Sequence, residues 1–186
     1  MTKKFINPIE LYAKSFTLGT MVLKSGWKPN FIIALWRGGT PTGMCVQELL
    51  NRANIKTDHV AIRTSSYVGT QQQKEIKVHG LHYIIETVKK NDKVLIVDDI
   101  FESGRSIEAV INELQSKMGE NFPTDIKVAT LFVKEGKNKT NRNPDYFIEL
   151  TSEWIVFPHE LEDLTFEEIR SNKDVPGDLF DYLEDL

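Results

Sequence analysis

Val94-Leu95-Ile96-Val97-Asp98-Asp99-Ile100-Phe101-Glu102-Ser103-Gly104-Arg105-Ser106 decides how the rest of this chain is read. Four apolar residues suited to a buried strand run straight into two adjacent carboxylates. A short turn follows with an acid, two hydroxyls, a glycine and an arginine, and Ile107-Glu108-Ala109-Val110-Ile111 then opens a helical pattern. In an α/β protein the paired acids end the strand at its carboxyl edge. The turn offers backbone N–H groups and hydroxyls to a phosphate at the helix start.

The flanks repeat the alternation. Asn7-Pro8 is a helix start, and Ile9, Tyr12, Phe16, Leu18, Met21, Val22 and Leu23 form a roughly helical apolar stripe that Gly26 stops. Phe31–Leu35 reads as a buried strand, Trp36-Arg37-Gly38-Gly39-Thr40-Pro41 as a turn, and 42–54 as a helix with Met44, Val46, Leu49 and Leu50 inward. A second strand covers His59–Arg63. The polar, aperiodic stretch from Thr64 to Lys74 reads as a long loop. Residues 75–78 look like a strand and 81–89 like a helix or turn. Beyond the central helix come a strand at 125–133, a basic Asn-rich connection from Lys134 to Pro144 expected to be a solvated loop, and two aromatic-rich strands at 146–150 and 154–158. The acidic tail from Glu160 holds one or two short helices. Strands alternating with helices predict a parallel central sheet with helices on both faces. Ligands of such sheets bind at the carboxyl ends of the strands.

Composition narrows the classes. The 186 residues suffice for one core, and 40% hydrophobic with 27% charged content is that of a globular protein. A net charge of −4 speaks against a nucleic-acid partner. Cys45 is the single cysteine and reads as a buried packing residue in a reducing compartment. No signal peptide and no apolar run of membrane-spanning length are visible, so the expected location is cytoplasmic with no membrane partner.

Asp98-Asp99 can accept hydrogen bonds from vicinal ribose hydroxyls or hold Mg²⁺, a hard cation that prefers oxygen ligands. Ser103-Gly104-Arg105-Ser106 has the composition of a phosphate cradle, in which the glycine permits close approach. The Gly-Lys-Ser/Thr ending of a nucleoside triphosphatase loop is missing, as is the glycine fingerprint of dinucleotide binders. His59, His79, His82 and His159 show no zinc spacing.

Residues 94–106 resemble the phosphoribosyl pyrophosphate motif of type I phosphoribosyltransferases. Other stretches resemble the xanthine-guanine and hypoxanthine branch in the right order: Gly26-Trp27-Lys28 with Phe31–Ala34 and Arg37-Gly38-Gly39, then Ser65-Ser66-Tyr67 with 73–78, then Phe132-Val133-Lys134, and then 145–158. The resemblance implies that family's α/β fold, as one domain over residues 1–186. A small hood would come from parts of 1–25 and 144–186, and a flexible lid from the 65–78 stretch. It implies transfer of phosphoribosyl to a 6-oxopurine, with Mg²⁺ and a homo-oligomer, dimer or tetramer.

By motif position, the resemblance gives Arg37, Gly38 and Gly39 the pyrophosphate, in a loop whose peptide is often cis without proline in that family. Ser66, Tyr67 and Lys74 would reach phosphoribosyl pyrophosphate from the lid. Asp98 and Asp99 would take the ribose hydroxyls and the metal, with Asp99 nearer the metal. Ser103, Gly104, Arg105 and Ser106 would hold the 5′-phosphate. Lys134 would donate to the purine 6-oxo group, Trp154 would stack on the base, and Ile155 would present backbone to its edge. Glu102 would be the general acid/base group, where the 6-oxopurine branch usually carries Asp; its extra methylene moves the carboxylate. The alternatives are a phosphoribosyltransferase for another base such as adenine, or a regulator that binds phosphoribosyl pyrophosphate without turnover.

Overall fold

The structure is a computed structural model that describes residues 2–68 and 74–183, with side chains also undescribed at 66–68, 74, 75 and 183. In chain order the elements are β1 (Lys3–Phe5), α1 (Pro8–Lys24), β2 (Phe31–Trp36), α2 (Gly39–Arg52), β3 (Asp58–Val68), β4 (Lys74–His79) and α3 (His82–Thr87). There follow β5 (Lys93–Phe101), α4 (Arg105–Met118), β6 (Asp125–Lys134), β7 (Tyr146–Thr151), β8 (Trp154–Val156), α5 (Phe166–Asn172) and α6 (Leu179–Leu183). They fall into two compact units, Lys14–Ser152 and the pair of termini Met1–Ala13 with Glu153–Leu186. None of the helices among the described residues is long and apolar enough to cross a membrane.

The larger unit is built on a six-stranded sheet in the order β4-β3-β2-β5-β6-β7. Every neighbouring pair is parallel except β3 with β4. β5 lies in the interior because Val94, Leu95, Ile96 and Val97 are wholly inaccessible, as a strand buried on both faces requires. On one face Ile33, Val94, Ile96 and Val128 pack with Ile84 of α3 and Ile107, Val110 and Leu114 of α4. On the other, α2 lies over β2 and β5. That contact is close because Gly43 has no side chain: a Cβ there would sit 3.0 Å from the Ala34 methyl. Gly19 serves α1 similarly, since a Cβ would meet Leu49 at 3.1 Å. Asn7 caps α1 by accepting from the Glu10 N–H at 2.8 Å, as its sequence predicts.

Several expectations are corrected. The described residues of the loop expected from Thr64 to Lys74 are strand: β3 continues to Val68 and pairs antiparallel with β4, Ser65 opposite Lys77 and Val68 opposite Lys74. Thr, Ser, Tyr and Val all suit a pleated strand, and pairing with β4 supplies the order that the polarity pattern lacks. Residues 69–73 of the expected lid lie outside the described residues. The apolar stripe of α1 is rotated. Leu11, Ser15, Leu18 and Val22 are buried, whereas Ile9, Tyr12 and Phe16 are exposed. In α2 Met44 faces outward and Cys45 inward. Burial pushes the Cys45 thiol up, with Glu48 adding to the rise, in keeping with a packing role.

The smaller unit contains a strand that the sequence reading missed. Lys3, Lys4 and Phe5 pair in parallel with Trp154, Ile155 and Val156. Three residues carry too little pattern to be read without their partner. A capping box at Thr165 and Glu168 starts α5, and Glu168 also meets the Lys3 ammonium at 2.7 Å.

Candidate functional site at the carboxyl edge

The apolar run of β5 forces Asp98 and Asp99 to the end of its buried stretch; strand alternation starts their side chains toward different faces, but the two carboxyl groups stay within hydrogen-bond reach of each other. Asp99, 8% exposed, lies against Gly38 on the α2 side. Asp98, half-buried, lines a cleft of about 200 Å³ with Ile100, Phe101, Glu102, Ser103, Gly104, Ser106 and Ile107. The Asp98 carboxylate accepts from the Asp99 N–H at 3.0 Å. Burial, and then the neighbouring Asp99 charge, raise its pKa well above the ordinary carboxylate value.

Two glycine turns frame these acids. After β2 the Trp36–Arg37 peptide is cis, and Gly38 and Gly39 are buried. A Cβ on Gly38 would fall on the Asp99 carboxylate, and one on Gly39 would come within 2.9 Å of the Asp98 Cα. After β5, Gly104 takes φ 75° and serves as the N-cap position of α4. The Arg105 N–H donates to Ser103 Oγ at 3.4 Å. Arg37, Glu102 and Arg105 are exposed, whereas Ser103 and Ser106 are half-buried.

Lys134 ends β6 one position past Val133, the residue paired with Phe101 of β5, and is 7% exposed. The larger unit therefore aligns Arg37–Gly39, Asp98–Asp99, Glu102–Ser106 and Lys134 along one sheet edge. Ser66, Tyr67 and Lys74 belong to the β3–β4 hairpin, and their side chains lie outside the described residues. Trp154 and Ile155 belong to the smaller unit, where Trp154 is 49% exposed and Ile155 is buried.

Two features escaped the sequence reading. Thr130 pairs with Asp98, is fully buried, and has a hydroxyl without a hydrogen-bond partner among the described residues. The connection at 134–144, expected to be solvated, is tied to the phosphate turn: the Lys139 N–H donates to the Ser103 carbonyl at 3.0 Å. Its basic side chains are indeed exposed at Lys137 and Lys139, but Asn138, Thr140 and Arg142 are half-buried.

Among the described residues no group of three or more His, Cys, Asp or Glu could hold a metal. Two adjacent carboxylates suit Mg²⁺ all the same, because that ion is often held by one or two carboxylates, with substrate phosphates and water completing its shell. Burial and then the Asp99 charge disfavour ionisation of Asp98, and a bound divalent cation would favour it. The residues fit the ion.

A mostly parallel open sheet carries an acid pair, two glycine turns and a strand-end lysine on its carboxyl edge, the edge where α/β sheets bind their ligands. The phosphoribosyl transferase domain model matches residues 17–164, and the chain belongs to this family of transferases. It is similar to the hypoxanthine-guanine phosphoribosyltransferase of Lactococcus lactis subsp. lactis (strain IL1403), 28% identical over 158 residues, covering 83% of this chain and 80% of that protein. It is 32% identical over 96 residues to the phosphoribosyltransferase domain-containing protein 1 of Xenopus laevis, covering 51% of this chain and only 40% of that relative. Among solved structures, a purine phosphoribosyltransferase from Pyrococcus horikoshii Ot3 superposes with a TM-score of 0.67 at 27% identity, covering 89% of this chain and 99% of the other. A xanthine-guanine-hypoxanthine phosphoribosyltransferase from Helicobacter pylori gives 0.65 at 25% identity, covering 91% and 99%. The fold expected from the sequence is the fold shared with these proteins.

Proposed function

We propose that this protein transfers the phosphoribosyl group from phosphoribosyl pyrophosphate to a 6-oxopurine (hypoxanthine, guanine or xanthine), giving a nucleoside monophosphate and pyrophosphate. One arrangement carries the reading: the cleft lined from Asp98 to Ile107 lies at the carboxyl end of β5, the strand whose Asp99 abuts Gly38 and whose Phe101 pairs with Val133, the residue before Lys134.

In this reading the C1′–O bond to pyrophosphate breaks and its electron pair leaves with the oxygen. The N9–C1′ bond forms, and Glu102 takes the proton that the purine gives up. Ser103, Gly104, Arg105 and Ser106 seat the 5′-phosphate through backbone N–H groups and hydroxyls. Arg37, Gly38 and Gly39 bind the departing pyrophosphate. Asp98 and Asp99 orient the ribose through its hydroxyls. They would also hold Mg²⁺, which when bound offsets charge on the leaving group. Lys134 donates to the purine 6-oxo group, for which an ammonium is suited and which adenine lacks. Trp154 stacks on the base, and Ile155 offers backbone to its edge. Ser66, Tyr67 and Lys74 complete the contacts to phosphoribosyl pyrophosphate. The chain acts as one functional domain with the terminal segments as its hood, in the cytoplasm, as a homo-oligomer.

The test is to incubate the protein with phosphoribosyl pyrophosphate, Mg²⁺ and each of hypoxanthine, guanine, xanthine and adenine, and to measure monophosphate. Turnover of at least one 6-oxopurine is expected. Turnover of adenine alone, or binding of phosphoribosyl pyrophosphate with no turnover of any base, would overturn the reading. Glu102→Gln should lower kcat about 100-fold and leave phosphoribosyl pyrophosphate affinity nearly unchanged. An unchanged kcat removes Glu102 from the chemistry.

A further inference from the structure

The connection between Lys134 and Pro144 is organised around one side chain. Asn138 donates from Nδ2 to the Arg142 carbonyl and to Asn143 Oδ1, both at 2.9 Å. Its Oδ1 accepts from the Thr140 N–H at 2.9 Å and from the Thr140 hydroxyl at 3.0 Å. The folded loop is anchored to β6 by Arg142, whose Nη1 donates to the Ile126 carbonyl at 3.2 Å. Its far side reaches the phosphate turn: the Lys139 N–H donates to the Ser103 carbonyl. Gly104 is packed so closely that a Cβ there would lie 2.6 Å from Thr140 Oγ1 and 3.1 Å from Asn138 Oδ1.

The bonded atom is a carbonyl of the turn itself. In a trans peptide the C=O and the next N–H point in opposite directions. Holding the Ser103 carbonyl toward Lys139 therefore turns the Gly104 N–H away from the loop. The same peptide rotated by half a turn would present its oxygen where an anion needs a donor. Glycine tolerates many backbone conformations, so its own sterics give weak protection against that rotation.

We propose that the Asn138-centred loop is a strap that fixes the Ser103–Gly104 peptide with its N–H toward the 5′-phosphate, making Asn138 and the Lys139 backbone positioning elements for the phosphorylated sugar. The assignment of the sugar phosphate to this turn rests on the reading above. The strap acts through the main chain of Lys139, so its ammonium is dispensable.

Ribose 5-phosphate is the probe, because it carries the 5′-phosphate and needs neither base nor turnover. Its affinity is measured by calorimetry, and KM for phosphoribosyl pyrophosphate and kcat are measured alongside. Lys139→Pro, which deletes the N–H, and Asn138→Ala should each weaken ribose 5-phosphate about tenfold, the scale of one lost hydrogen bond acting on a preorganised donor. KM should rise in parallel while kcat stays within about twofold. Lys139→Ala, which keeps the N–H, should bind within about twofold of the unaltered protein. Should Lys139→Pro fail to fold, Asn138→Ala decides. Wild-type affinity in Asn138→Ala, or a loss in Lys139→Ala equal to that in Lys139→Pro, overturns the strap, as does an unaltered protein that does not bind ribose 5-phosphate. Binding of ribose 5-phosphate that responds to the strap variants, without turnover of any base, would sink the proposed transfer and leave the strap standing.

Discussion

The turns after β2 and β5 use glycine for different reasons. Gly38 sits at φ −67° and ψ −30°, a conformation open to every residue, and is glycine because the Asp99 carboxylate occupies the space a side chain would need. Gly104 sits at φ 75°, where other L-residues are strained, and is crowded as well by Phe101 and Thr140. The first demand comes from a strand some sixty residues further along the chain, the second from the turn's own dihedral angles plus a neighbour. A sequence displays both as one letter, and substitution separates them.

The largest effect is expected at Gly38. Gly38→Ala should raise KM for phosphoribosyl pyrophosphate by about 100-fold, because the methyl displaces Asp99 from the acid pair. Adding Asp99→Gly should recover the thermal stability lost in Gly38→Ala without recovering the substrate affinity. If Gly38→Ala has an unaltered Tm and KM, space is not what requires glycine there. Gly104 comes next. Gly104→Ala should cost about 1–2 kcal/mol from the left-handed conformation alone, read from denaturant unfolding. Gly104→Asn should regain part of that, because Asn tolerates positive φ, but not all, because the crowding persists. Full recovery by Asn would reduce the demand at Gly104 to its dihedral angle.

The smallest effect concerns Asp98 and runs opposite in sign. Its folded-state pKa lies above the unfolded value, so the native protein holds the proton more tightly. Stability from this group is therefore present at acid pH and is lost as pH rises through the folded-state pKa. At neutral pH in a metal chelator, Asp98→Asn should raise Tm slightly while weakening phosphoribosyl pyrophosphate binding. A lower Tm would show that the ionised carboxylate stabilises the fold instead.

Much of the larger unit is legible in the chain because its signals are local. Val94–Val97 mark a buried strand, and Asp98-Asp99 with Ser103–Ser106 a site, all within a few residues of one another. What escapes is set by partners far away. Polar residues 64–68 extend a strand because β4 pairs with them. Ile9, Tyr12 and Phe16 share helical spacing with Leu11, Leu18 and Val22, and only packing decides which face is buried. The strap was hidden for the same reason: Asn138 and Lys139 carry the composition of a solvated loop, and their value lies in a single carbonyl more than thirty residues earlier.

The pairing of Lys3–Phe5 with Trp154–Val156 also sets an order in time. During synthesis the first strand of the chain leaves the ribosome before its partner exists, and waits for about 150 more residues. At about 5–20 residues per second that delay is on the order of ten seconds or more. All six strands described in the central sheet have been synthesised by then, so the pairing of Lys3–Phe5 with Trp154–Val156 comes after them. A nascent chain halted before residue 154 would carry the acid pair and the phosphate turn but not the strand with which Lys3–Phe5 pair.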